Sequence, residues 1–227
     1  MRLYPLHPLS KTAANISKLS RKLKINVITM ESIPITGIIV LADGTPDDYV
    51  ISILSHKLDG KYVAGIAKPE KTRIGVFSIL PVYIRYHVKK LLIVIDQEDE
   101  ALNSLFQEIR AKISEIARII NAREETRLAI YTCERQESRI QIIVSINGLD
   151  EYDFEKHTIE DHLLKAAEIS LKIKLEGSDP KKCWKNLREE HKCEIFGRLL
   201  KESNEHLEQI FPQQIQGLRY LISGFEG

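Results

Sequence analysis

Short apolar runs and helical repeats alternate along this chain, with polar turns between them. Ile38 to Leu41 and Leu91 to Ile95 are continuous apolar runs, and Tyr62 to Ala67 is a third. Runs of this length bounded by turn residues read as buried strands. Between the first two strands, Thr45-Pro46-Asp47-Asp48 has the form of a helix start, with Pro at the first helical position and acids in the first turn. The helix is expected to run to about Lys57. A second helix is expected from Phe77 to about His87, with Pro81 in its first turn or kinking it.

Leu102, Leu105, Phe106, Ile109, Ile113, Ile116 and Ile120 recur at three- and four-residue spacing. That pattern predicts one amphipathic helix over about 98–123. Arg127–Thr132 and Arg139–Ile146 are expected as strands joined by the polar stretch between them. After Gly148 the pattern becomes helical in three stretches, 158–173, 180–200 and 203–222. Strands alternating with helices predict an α/β fold with a mainly parallel sheet flanked by helices. The chain therefore divides into an N-terminal extension (1–35), an α/β core (36–150) and a helical C-terminal region (151–227). In the extension, Ser10 is a cap for a helix to about Lys24, and Ile25 to Ile33 is a strand candidate.

Composition narrows the class. With 43% apolar and 29% charged residues the chain reads as soluble and globular. A net charge of +1 supplies no global attraction to nucleic acid or to anionic membranes, so such binding needs a local basic patch. No apolar run reaches the roughly 20 residues that cross a bilayer. Met1-Arg2-Leu3-Tyr4-Pro5 lacks the apolar core of a signal peptide, and three cysteines do not make a disulfide framework. A cytoplasmic location and no membrane partner are the expectation.

The candidate chemistry sits at strand ends. Asp43 and Asp96 are each the first polar residue after an apolar strand but for one alanine in the first case. In a parallel sheet both lie at the C-terminal edge, where open α/β folds bind ligands. Mg²⁺ takes one or two carboxylates and completes its octahedron with water and phosphate. Asp43, Asp96 and Glu98 suit that demand. Asp47, Asp48, Asp99 and Glu100 are explained as acids at helix N-termini. Lys68, Lys71 and Arg73 follow the Tyr62 to Ala67 strand and reach the same edge as candidate phosphate contacts, against the plainer reading of a solvated loop. The basic face Lys11, Lys18, Arg21, Lys22 and Lys24 reads as a backbone-tracking surface or a solvent-facing helix side. Cys183, His191 and Cys193 do not have zinc-site spacing. His162 is expected to be an exposed helical histidine.

Asp43-Gly44-Thr45-Pro46-Asp47 after one strand and Asp96-Gln97-Glu98 after another resemble the motifs of Toprim domains, found in primases, topoisomerases and OLD-type nucleases. Thr158-Ile159-Glu160-Asp161 resembles the later acidic pair of OLD-like members. The resemblance spans about residues 36–165. It implies a Toprim-type sheet, Mg²⁺ (or Mn²⁺) binding and phosphodiester chemistry on DNA or RNA, as in a nuclease. Carried over, Asp43 is the catalytic general acid/base, Asp96 and Glu98 are metal ligands, and Glu160 or Asp161 adds another. Asp43 stands where the family has Glu, and Glu98 where it has Asp. One alternative is a non-catalytic Toprim-like module that binds a partner or assembles as a homo-oligomer, its acids acting as helix caps; another is a phosphatase or phosphotransferase using an aspartate nucleophile at the same edge, for which the chain shows no additional motif. For Asp161 the cap reading is direct, because Thr158 and Asp161 have capping-box spacing.

Overall fold

In the computed structural model, which describes residues 3–5, 11–24, 37–42, 44–58, 64–67, 74–85, 88–173 and 177–223, the apolar runs pair into one sheet. Its strands are β1 (Leu3–Pro5), β2 (Gly37–Leu41), β3 (Ala64–Ala67), β4 (Lys90–Asp96), β5 (Arg118–Glu125), β6 (Leu128–Arg135) and β7 (Ser138–Asn147). The spatial order is β1-β3-β2-β4-β7-β6-β5. Pairing is parallel from β1 through β7 and antiparallel for β7–β6 and β6–β5. The fold is therefore α/β with a mixed sheet. Leu41 stands opposite Val94, and Asp96 opposite Asn147, so β2, β4 and β7 end along one edge.

Period-two alternation gives each central strand two apolar faces, as expected for a sheet covered on both sides. Ile39, Leu41, Leu92, Val94 and Ile143 face one layer of helices. That layer is α1 (Lys11–Leu23), α2 (Asp47–Lys57), α5 (Ile159–Leu171), α6 (Pro180–Asn186), α7 (Glu189–Leu199), α8 (Asn204–Ile210) and α9 (Pro212–Ile222). Ile38, Val40, Leu91, Ile93, Ile95 and Ile142 face a 3₁₀ turn (Ile74–Ile79), α3 (Leu80–Arg85) and α4 (Leu102–Ser114). Each such buried aliphatic contributes about 1.5–3 kcal/mol by leaving water. Gly217 lets α9 lie against the sheet, since a Cβ there would stand 2.8 Å from Leu92 Cδ1.

Ile16 and Leu19 of α1 belong to the first core layer, and β1 extends the sheet beside β3. The stretch expected as an N-terminal extension thus supplies core residues. The strand expected over Ile25 to Ile33 lies outside the described residues.

The long amphipathic helix is shorter than its periodicity predicts. α4 stops at Ser114, and Arg118–Glu125 forms β5. Ile116 and Ile120 fit the helical spacing by coincidence. The β-branched pair Ile119-Ile120 favours a strand, and β6 offers a full ladder of partners, with an irregularity between Ile119 and Asn121. The antiparallel hairpin of β6 and β7 turns at Gln136 and Glu137, within the polar stretch that predicted it. Among the described residues, no helix is long and apolar enough to cross a membrane.

Candidate functional site

Asp96 ends β4 and is 2% exposed. Its Oδ1 accepts from Asn147 Nδ2 at 2.9 Å and from Ile159 N, the first amide of α5, at 3.0 Å. A carboxylate at a helix N-terminus gains from the unsatisfied amides and the helix dipole. Its other oxygen, Oδ2, lies 3.3 Å from Lys181 Nζ. Asn147, fully buried at the end of β7, also donates to Asp47 Oδ1 at 2.8 Å. One side-chain amide therefore ties the carboxylate that opens α2 to the carboxylate that closes β4. Asp47 is buried, so the helix-start explanation given for it from sequence is incomplete. It belongs to the edge cluster.

Behind this pair runs a buried polar chain. Gln214 Nε2, on α9, donates to Asn147 Oδ1 at 2.8 Å and lies 3.1 Å from His162 Nε2. His162 Nε2 accepts from Gly148 N at 3.1 Å, and Nδ1 stands 2.6 Å from Ile210 O. A proton on Nδ1 satisfies both contacts, which fixes the neutral tautomer. His162 is wholly buried, against the exposed position expected for it. Burial pushes its pKa down to about 3, and the nearby Arg127, Lys165 and His157 charges act in the same direction against the Ile210 carbonyl.

Glu160 sits in the first turn of α5, 6% exposed. Its Oε2 is buried without a hydrogen-bond partner. Burial raises its pKa above the ordinary carboxylate value, against the Thr158 hydrogen bond and the Lys181 charge. Asp161 is the capping acid: Oδ1 accepts from Thr158 N at 3.1 Å, and Oδ2 accepts from Leu149 N at 3.2 Å and lies 2.8 Å from His157 Nδ1. Those bonds occupy it structurally.

Glu98 has a left-handed backbone, φ 59°, and its main chain pairs with His157 through two 2.9 Å hydrogen bonds. Its Oε1 accepts from Lys181 Nζ at 2.5 Å and its Oε2 is 3.8 Å from Lys156. Lys181 thus bridges Asp96 and Glu98. Desolvation pulls the Lys181 pKa down, and the charges of Asp96, Glu98 and Glu160 outweigh it and raise it.

Asp47, Asp96, Glu160 and Lys181 open onto a cavity of about 580 Å³. Asp47, Asp96 and Glu160 lie on it at the sheet edge. Its walls carry Lys18 and Lys22 from α1, Tyr49 from α2, Lys181, Trp184 and Lys185 from α6, and Lys192, Cys193 and Phe196 from α7. Glu98 does not line it. Of the expected site residues, Asp96 and Glu160 meet there, while Asp43, Lys68, Lys71 and Arg73 lie outside the described residues. Asn147 carried a sequence signal: like Asp96, it is the polar residue closing an apolar strand. Nothing local in Asp179-Pro180-Lys181 announces that this lysine reaches a strand end more than eighty residues earlier.

Among the described residues, no group of three or more His, Cys, Asp or Glu side chains is arranged to hold a metal ion. Mg²⁺ needs fewer protein ligands than that, and the oxygens of Asp96 with the unpartnered Oε2 of Glu160 fit a hard cation in kind. Fold and site together define an α/β protein with a cavity lined by both carboxylates and lysines at the C-terminal edge of its parallel strands. Comparison with family models, curated proteins and solved structures found no match.

Proposed function

We propose that the cavity binds phosphate with a divalent cation, Mg²⁺ or Mn²⁺, and that the protein processes nucleic-acid phosphodiesters as a Toprim-like nuclease. The observation that carries the reading is the meeting of Asp47, Asp96 and Glu160 in one cavity whose walls carry Lys18, Lys22, Lys181, Lys185 and Lys192. Carboxylates alone would repel a phosphate, and lysines alone would not need buried carboxylates. Both together suit a cation and a phosphate side by side.

In this reading Asp96 and Glu160 hold the cation. When bound, it shields phosphate charge and orients the attacking water. Glu160 keeps a proton on its buried carboxyl more readily than an ordinary glutamate, and gives it up when positive charge arrives. Asn147 fixes the spacing of Asp47 and Asp96. The wall lysines receive the phosphate. Asp43 keeps the role of general base that its motif implies.

The second reading is a non-catalytic binding or assembly module. Lys181 favours it, since its ammonium pairs with both Asp96 and Glu98. Incubation with single- and double-stranded DNA and RNA in Mg²⁺ or Mn²⁺ separates the two. Cleavage that disappears in Asp96→Asn and Glu160→Gln supports the nuclease. Cleavage that persists in both variants, or no cleavage of any substrate, rejects it.

A further inference from the structure

The walls of the cavity, rather than its floor, limit what can reach the carboxylates. α1 and α7 face each other across it, and Lys22 Nζ reaches Cys193 Sγ at 3.6 Å between them. α6 supplies a third wall through Lys181, Trp184 and Lys185. A volume of about 580 Å³ lies within the range of pockets that enclose one small ligand. A cavity of this size holds about one nucleotide unit rather than a length of duplex.

The wall chemistry is two-sided. Lys192 is paired with Glu189 at 3.0 Å, and Lys181 with Asp96 and Glu98. Lys18 on α1 and Lys185 on α6 form no ion pair with a described residue, and both are exposed. Beside them lie Leu19, Leu23, Tyr49, Trp184 and Phe196. Phe196 packs edge-on against Tyr49 at 5.5 Å and against Trp184 at 5.8 Å, and Lys192 Nζ stands 5.9 Å from the Trp184 ring centroid; Trp184 and Phe196 are largely buried, and Tyr49 is the more accessible ring of this aromatic wall. Exposed ammonium groups next to aromatic surface match a ligand with a phosphate at one end and a flat ring at the other.

We propose that the cavity takes one phosphorylated nucleoside unit, either a free nucleotide or the terminal nucleotide of a single strand, with Lys18 and Lys185 receiving its phosphate. This rests on the reading of the cavity as a phosphate site and narrows it from phosphodiesters in general to chain ends and mononucleotides. Duplex interiors and closed circles are excluded as ligands.

Trp184 is the sole tryptophan of the chain and lines the cavity, so its emission reports occupancy. The full-length protein is titrated in Ca²⁺, an oxygen-liganded cation like Mg²⁺. The probes are nucleoside 5′- and 3′-monophosphates, short single strands with and without a terminal phosphate, and a covalently closed single-stranded circle. The expected result is a saturable emission change with the monophosphates or the phosphorylated strands. Saturation by monophosphates identifies a free nucleotide, and saturation by strands alone identifies a strand end. The circle should give none. Lys18→Ser/Lys185→Ser, at two exposed positions, should weaken binding about tenfold and lower its salt dependence. Equal binding of the circle, unchanged affinity in the double variant, or no emission change with any probe overturns the proposal. Mn²⁺ calorimetry without nucleotide is run in parallel. Mn²⁺ binding with no nucleotide binding sinks this inference alone, whereas no Mn²⁺ binding sinks the phosphodiester reading itself.

Discussion

Acid should loosen the cavity through His162. Its imidazole is wholly buried, with Nδ1 against Ile210 O and Nε2 accepting from Gly148 N. Protonation would put a second N–H where Gly148 N and the amides of Gln213 and Gln214 already point. The folded pKa, pushed down to about 3 by burial, compares with 6.5 for the ordinary side chain. Between those values the unfolded chain holds a proton that the folded chain refuses. Stability contributed by neutral His162 is therefore full above about pH 6.5 and falls as pH drops toward 3. At about 1.36 kcal/mol per pH unit, the loss by pH 4 is about 3 kcal/mol, a large part of an ordinary domain's stability. Glu160 and Asp161 act in the opposite sense. Their pKa values are raised mainly by burial, so they favour the folded state in acid and lose that contribution as pH rises. A difference measurement isolates the histidine. Urea unfolding of the wild type and of His162→Gln at about pH 7 and pH 4 should show the wild type losing about 3 kcal/mol more than the variant. Parallel losses in the two proteins would refute the assignment.

Asn147→Ala removes the amide that separates Asp47 from Asp96 and leaves Gln214 short of an acceptor, so urea unfolding should show a loss of about 3 kcal/mol; a loss below about 1 kcal/mol would mean that the amide is not a keystone. Lys181→Met leaves Asp96 and Glu98 without their shared cation. Its melting temperature should fall in metal-free buffer and recover with Mn²⁺ more than the wild type gains, and an equal Mn²⁺ response in both would count against competition for one site. Mn²⁺ affinity should rise with pH as the raised Glu160 carboxyl ionises, and calorimetry of Glu160→Gln should show a flatter pH dependence; the same slope in both proteins would remove Glu160 from the ligand set.

Much of the fold was legible because local pattern and tertiary context agree there. The runs at Ile38 and Leu91 form β2 and β4, parallel neighbours whose ends share an edge. Agreement failed where a repeat had two readings. Ile116 and Ile120 extend a helical stripe on paper, yet Ile116 lies in the turn that closes α4 and Ile120 lies in β5, the strand that pairs with β6. The site was half legible for a related reason. A strand end followed by an acid marks Asp96 from sequence alone, and a capping box marks Thr158 and Asp161. Contacts made over long separations leave no local trace. His162 is sealed by Ile210 and Gln214 of later helices, and Lys181 reaches Glu98 from α6. Asp47 looked like any acid in a first helical turn. Its partner is Asn147, a hundred residues away.

Whether the cavity holds a divalent cation is settled most directly by the anomalous signal of a crystal soaked in Mn²⁺. A peak is expected within ligand distance of Asp96 Oδ2 and Glu160 Oε2, with the Lys181 ammonium moved off Asp96. No peak in the cavity at millimolar Mn²⁺, with Lys181 still bridging Asp96 and Glu98, would contradict cation binding there.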